Sequence, residues 1–249
     1  MKVRELGEFS LIENLAQIAN EAGVGYQSRS DLVIGIGDDA AAWQNTASTQ
    51  LGTTDTLVQN VHFTLDNTTW HDLGWKALAV NISDVAAMGG IPAYAMISLG
   101  LPSDTEVEHI TELYAGMAEI AGKLNMAIVG GDITESPLLI ISPSVIGQVE
   151  GNRMLTRSGA VPGDWIAVTG HLGTSAAGLK MLRGELDLDP DTASILTEAH
   201  LLPWPRVAES QILRQNGVKA AIDISDGLIA DLAHICQASK VEARVHLHD

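Results

Sequence analysis

The residues best able to do chemistry in this sequence are carboxylates that end short apolar runs beside Gly or Ser. Asp38 and Asp39 stand in GIGDDAA (35–41), Asp55 in GTTDTLV (52–58) and Asp84 in NISD (81–84). Asp132 ends VGGD (129–132), and Asp223 and Asp226 belong to DISDG (223–227). For any one of them a turn or capping role is the ordinary reading, because Asp favours such places. Their joint occurrence says more. Carboxylates brought together without cations repel one another and force some to protonate. Magnesium uses one or two protein carboxylates and leaves positions for water and phosphate oxygens. Several magnesium ions around a polyphosphate would need about this many acids.

Other candidates are weaker one by one. Thr53 and Thr54 could add hydroxyl ligands or be a plain β-branched strand pair. His62 could touch a substrate or simply pack near Phe63. Tyr114 lies on an apolar helix face, where core packing is the default. Arg153 and Arg157 are conspicuous in a chain poor in cations, and a phosphate contact suits them. GIGDDA is not a GxGxxG loop, and no GxxxxGK[ST], HExxH, GxSxG or EF-hand spacing is present. The acidic stretch ELDLDPD (185–191) reads as a solvated surface.

Elements must position these groups. Ser10 reads as the cap of a helix over 11–22, and 31–36 and 51–58 read as strands. Over 71–88 one apolar row is Trp75, Leu78, Ile82 and Val85, and a second is Leu73, Ala77 and Val80. A helix apolar on two sides is mostly buried. Asp84 continues the second row, so it is expected to point inward, where it needs a cation or donors. A strand at 93–101, a helix at 104–124 and strands at 126–130 and 138–149 complete an alternating pattern, that of an α/β or α+β layer structure. Beyond 151 the spacing predicts strands at 165–169, 218–224 and from Val241 to His248. Helices are expected at 174–183, 207–216 and 227–238. The change of pattern places one domain over 1–150 and a second over 151–249.

Composition narrows the class. Of 249 residues 46% are hydrophobic and 18% charged, a globular balance long enough for a sizeable core. A net charge of −17 argues against nucleic-acid and anionic-membrane partners, but not against phosphate ligands held through divalent ions. Cys236 is the single cysteine, which excludes an intrachain disulfide framework and fits a reducing cytoplasm. The N-terminus lacks a signal peptide's apolar centre and no apolar run of spanning length occurs, so a soluble protein is expected.

The motifs in this order resemble the thiamine-monophosphate kinase family, within the superfamily of aminoimidazole ribonucleotide synthetase. GEFSLI (7–12), GIGDDAA, TTDTLV…HF, KALAVNISDVAAMGG (76–90), VGGDIT, LTRSGAVPGDWIAVTG, GTSAAGL, HLLPWPR and AIDISDGLIADL carry the resemblance. It implies a two-domain fold, an N-terminal sheet with flanking helices and a second α/β domain. It implies transfer of the ATP γ-phosphoryl group to thiamine monophosphate, giving thiamine diphosphate, without a phospho-enzyme. By the same resemblance, Asp39, Thr53, Thr54, Asp55, Asp84, Asp132, Asp223 and Asp226 match magnesium ligands. Tyr114, Gly131, Asp132, Arg157 and Ser225 match nucleotide contacts, and His62 a substrate contact. A cytoplasmic homodimer, with strands of the N-terminal half pairing across subunits, is implied as well. No residue is assigned as general base or nucleophile. The family pattern runs on past Asp249 with a Gly-Gly-Glu-Asp-Tyr-Glu-like segment and a late aromatic, so the second domain is expected to be incomplete. Two alternatives stay open: another ATP-dependent enzyme of the superfamily, and a non-catalytic magnesium- and nucleotide-binding dimer.

Overall fold

In the computed structural model, residues 2–6, 8–24, 30, 32–34, 42–43, 48–150 and 154–246 are described. The GIGDDAA segment, Asp39 included, and Arg153 lie outside them. The elements run in the order α1 (Val3–Leu6), α2 (Glu8–Glu21), β1 (Leu32–Ile34), β2 (Ala42–Trp43), β3 (Thr49–Thr54), β4 (Leu57–Val58) and α3 (Trp70–Ala87). Then come β5 (Ile91–Leu101), α4 (Val107–Lys123), β6 (Ala127–Glu135) and β7 (Ile140–Val149). Four helices follow, α5 (Thr174–Leu182), α6 (Pro190–Leu201), α7 (Val207–Gln215) and α8 (Leu228–Ser239).

One sheet organises the first half. Its order is β3-β7-β5-β6, with β4 also paired to β7; β5 and β6 run parallel and the other pairs antiparallel. Helices α3 and α4 cover one face. Leu73, Leu78, Ile82, Ile110, Leu113, Met117 and Ile120 pack there against Ile97, Leu99, Ile141 and Val145 of the sheet. Along β7 burial alternates residue by residue, as a strand with one covered face requires. The far face carries a small second cluster of Ala93, Tyr94, Ala127 and Val129.

The order of α3 follows from its ends and its glycines. Thr69 caps it by accepting the N–H of Asp72 at 3.0 Å, and Asp72 adds a negative charge to the first turn. Gly74 and Gly116 let α3 and α4 touch backbone to backbone: a Cβ at either would overlap the carbonyl oxygen of Leu113 or His71. The opposite side of α3 receives the second half. Trp75 Nε1 donates to Pro203 O at 3.0 Å, the Trp75 and Trp204 rings lie 6.0 Å apart, and Gln211 Nε2 donates to Gly89 O at 2.8 Å. That two-sided contact explains the two apolar rows in its sequence.

Four expectations need correction. Ser10 lies inside α2, which begins at Glu8, so it is not a cap. The acidic stretch 185–191 is exposed throughout, as expected of a solvated surface, and that reading stands; it leads into α6, a helix the spacing did not predict, which begins at Pro190 and is capped by the Asp189 carboxylate accepting Thr192 N–H at 3.0 Å. Residues 165–169 and 218–224 form no strand, and neither do 241–246, the described part of the segment from Val241 to His248; among the described residues one bridge, Thr156 with Ala220, joins this region. Strand propensity is only fit for a half-buried pleated surface, and no neighbouring strand lies beside these segments among the described residues. Trp165 is 97% exposed as a result.

Candidate active site

The site is built where the β3–β4 edge meets the C-terminal half of α3. Thr54 pairs with Ser144 and Leu57 with Ile141, so Asp55 and Thr56 stand opposite Pro143 and Ser142. Pro143 has no N–H to offer, so the ladder lapses there. Asp55 N–H turns to Asn81 Oδ1 at 2.8 Å, and the Thr54 hydroxyl donates to Pro143 O at 2.9 Å. Asn81 is fully buried and spends its own amide N–H on Ala77 O at 3.0 Å, which fixes it as the acceptor for Asp55. The broken strand is thus a device that presents Asp55.

Asp84 sits near the C-terminal end of α3, where the helix dipole disfavours a negative charge. The Thr53 hydroxyl donates to its Oδ2 at 2.6 Å. Burial holds the Asp84 carboxyl above the ordinary Asp range; the charge of Asp55 pushes the same way, while Thr53 and Arg157 oppose it. Asp223, from the second half, is also raised, first by burial and then by the charge of Asp84; hydroxyls of Ser83 and Ser225 oppose the shift. Asp55, Asp84, Asp223 and Arg157 therefore share one electrostatic neighbourhood, assembled from both halves. Two mutually destabilised carboxylates with hydroxyls beside them form a donor set that a hard cation suits. Among the described residues no three His, Cys, Asp or Glu side chains could hold a metal ion by themselves.

Other expected residues fall elsewhere. Asp132 stands opposite Ser98 in the parallel β5–β6 pair, on the face away from Ile97 and Leu99 and hence away from α3. Thr54 lies on that far face too, receiving a hydrogen bond from Ser144 Oγ at 3.2 Å. The described chain does not bring these two beside Asp84. Gly131 is required by closeness, since a Cβ there would overlap the Ile97 carbonyl oxygen. Tyr114 is 3% exposed in the α3–α4 core, and burial pushes its phenol upward; this is the ordinary core position of the residue. His62 is exposed, its Nδ1 accepting the N–H of Val58 at 3.0 Å, which leaves Nε2 as the donor in the neutral ring. Ser225 and Asp226 are exposed on a loop whose N–H groups are gathered by Asp231. Sequence reasoning passed over Asn81, Ser83 and Asp231. Asn81 and Ser83 bracket Ile82 in NISD, and a buried Asn on an apolar helix row was the signal available for the first.

The fold and this split acidic site define a class. Residues 37–149 match the family "AIR synthase related protein, N-terminal domain", and 161–249 match its C-terminal domain. The curated thiamine-monophosphate kinase of Escherichia coli (strain K12) is 43% identical over 243 residues, 97% of this chain and 72% of that protein. A crystal structure of thiamine-monophosphate kinase from Stenotrophomonas maltophilia K279a superposes with a TM-score of 0.80 at 39% identity, covering 94% of this chain and 72% of that one. A structure described as AaThiL complexed with AMPPCP and TMP gives a TM-score of 0.73 at 36% identity, covering 96% and 72% respectively. The chain belongs to the thiamine-monophosphate kinase family, a family of enzymes.

Proposed function

We propose that this chain transfers the γ-phosphoryl group of ATP to thiamine monophosphate, forming thiamine diphosphate, with magnesium at the acidic site. The observation that carries the reading is Asp84, hydrogen-bonded by the Thr53 hydroxyl and coupled by charge to Asp55 in its own half and to Asp223 in the other, with Arg157 close enough to oppose its shift. Family membership supports the substrates, through a relative solved with an ATP analogue and TMP.

Magnesium takes one or two protein carboxylates and fills its other positions with water and phosphate oxygens, and Asp84 with the Thr53 hydroxyl, joined by Asp55 or Asp223, are the residues that would hold it here. The family resemblance adds Asp39 and Asp226 to that set, and gives Thr54 and Asp132 as magnesium ligands on the other face of the sheet. Bound magnesium neutralises charge on phosphate oxygens and orients the transferring group. Arg157, exposed beside the acids, offers a charged donor to phosphate. His62 presents Nε2–H from a fixed turn toward a substrate acceptor. Asp84 and Asp223 have shifted carboxyls but lie in a charge cluster, so their task is electrostatic, and no protein base is assigned. Ser225 and Gly131 complete the nucleotide contacts, and Tyr114 would act only from its core position. A boundary near residue 150 divides the two domains, with the ranges of the two matching families in support. A homodimer in the cytoplasm completes the reading; among the described residues no helix is long and apolar enough to cross a membrane.

The test is formation of thiamine diphosphate from ATP and thiamine monophosphate, with magnesium and again with a chelator. Magnesium-dependent product is expected. A folded sample showing neither product nor magnesium-dependent stabilisation by an ATP analogue would sink the reading.

A further inference from the structure

Asp231 is the one buried acidic side chain among the described residues, 5% exposed in the first turn of α8. A lone buried carboxylate is strongly unfavourable. This one is satisfied by a specific arrangement: its Oδ2 accepts the N–H groups of Ser225 at 3.0 Å, Asp226 at 3.2 Å and Gly227 at 3.1 Å. Three consecutive backbone donors converge on a single oxygen. Gly227 makes the convergence possible, with φ +116, a backbone region that side-chain-bearing residues avoid. Successive N–H groups turned inward in this way form a concavity that ordinarily attracts an anion from outside. Here the protein's own carboxylate fills it.

The consequence concerns the side chains of the same loop. With its N–H groups drawn toward Asp231, the loop leaves Ser225 and Asp226 exposed, and Asp223 beside Ser83 and Asp84. We propose that Asp231 is a positioning residue for the acidic site: it clamps the 223–227 backbone so that Asp223 and Asp226, and not the loop amides, face the cation and nucleotide. The inference rests on the reading given under Proposed function. Asp231 itself touches neither ligand. Because the concavity is already filled, a phosphate reaches this loop only through a cation or a side chain, unlike in a glycine-rich phosphate cradle.

The experiment uses the full chain with Asp231→Ala, Asp231→Asn and, as a control, Asp223→Asn. Three quantities are measured: hydrogen exchange of the 225–227 amides, melting temperature, and calorimetric binding of AMPPCP across a magnesium series. Asp231→Ala is expected to speed exchange of those three amides about tenfold or more, the equivalent of one lost charge-assisted hydrogen bond. It is also expected to raise the magnesium needed for half-saturation about tenfold, with Asp231→Asn, which keeps one acceptor oxygen, in between. Should the alanine variant fail to fold, the asparagine variant carries the test alone. A lowered melting temperature with an unchanged magnesium requirement in both folded variants overturns the proposal and leaves Asp231 a structural residue. Wild-type chain that binds AMPPCP without needing magnesium, and is indifferent to Asp223→Asn, overturns the proposed function and this inference with it. An unchanged Asp231→Ala beside a crippled Asp223→Asn overturns this inference only.

Discussion

The two halves of the chain solve the problem of presenting acids in opposite ways. In residues 48–150 a paired sheet and two helices pack so closely that backbone meets backbone at Gly74 and Gly116, and the acids hang from a strand edge and a helix. In residues 154–246 helices α5 to α8 are joined by segments that form no strand, tied at Thr156 and Ala220 by one bridge, and Trp165, Ile166, Val168 and Val245 face solvent. There the acids ride on a loop held by one buried carboxylate. The first half thus positions its acids through the packing of whole elements, and the second through local hydrogen bonds and contact with α3. The proposed site draws on both, since Asp84 and Asp223 come from different halves.

The largest expected effect breaks the rigid half. Gly116→Val forces α3 from α4 and should cost about 3 kcal/mol or more, with loss of cooperative unfolding by denaturant titration. Leu113→Ala, in the same core, is expected to cost about 2–5 kcal/mol. If either were neutral, the contrast between the halves would fail.

The seam between the halves is sharpened by pH. Lys76 Nζ lies 3.2 Å from His200 Nε2, and Ser175 Oγ lies 3.0 Å from His200 Nδ1. Burial lowers Lys76 to about 8; burial and the Lys76 charge, with a further contribution from Arg183, lower His200 to about 4. Both groups bind protons less readily when folded than when unfolded. The stability tied to His200 is therefore complete above its ordinary value near 6.5 and is lost as pH falls toward 4. That tied to Lys76 grows as pH rises from about 8 toward 10.5. Melting temperature followed across pH should fall on the acid side in the wild type and fall less in His200→Gln; identical acid slopes would refute the assignment.

Smaller still is Asp84→Asn. The raised Asp84 carboxyl means that its charge opposes folding above its folded-state pKa, so the variant should melt at the same or a higher temperature without metal. It should also lose magnesium-dependent stabilisation by an ATP analogue, and a variant that kept it would remove Asp84 from the site. The smallest effect belongs to the open half. Trp165→Ser, at a side chain 97% exposed, should change unfolding free energy by no more than about 0.5 kcal/mol.

How much of this was legible depends on whether the cause was local. The buried character of α3 could be read from its two apolar rows, because one helix packed on both sides must be apolar on both. Asp84 could be read as an inward acid in need of donors, and Thr53 supplies one. Helix α6 was missed because its acidic lead-in hid a capping Asp followed by Pro190. The strands of the second half were misread because apolar alternation specifies a strand only when another strand lies beside it.

The sequence by itself determined the family, the alternating helices and strands from 71 to 149 and the list of candidate acids, since these follow from motif order, periodicity and residue type. Only the tertiary structure decided which acids meet. Side-chain alternation and strand register place Asp55 toward α3 and Asp132 on the opposite face, and a one-residue slip of either strand would carry its own acid to the other face. It likewise decided that Asn81 and Asp231 hold the loops, because a buried polar side chain is defined by the backbone groups it satisfies, and those are brought to it by folding.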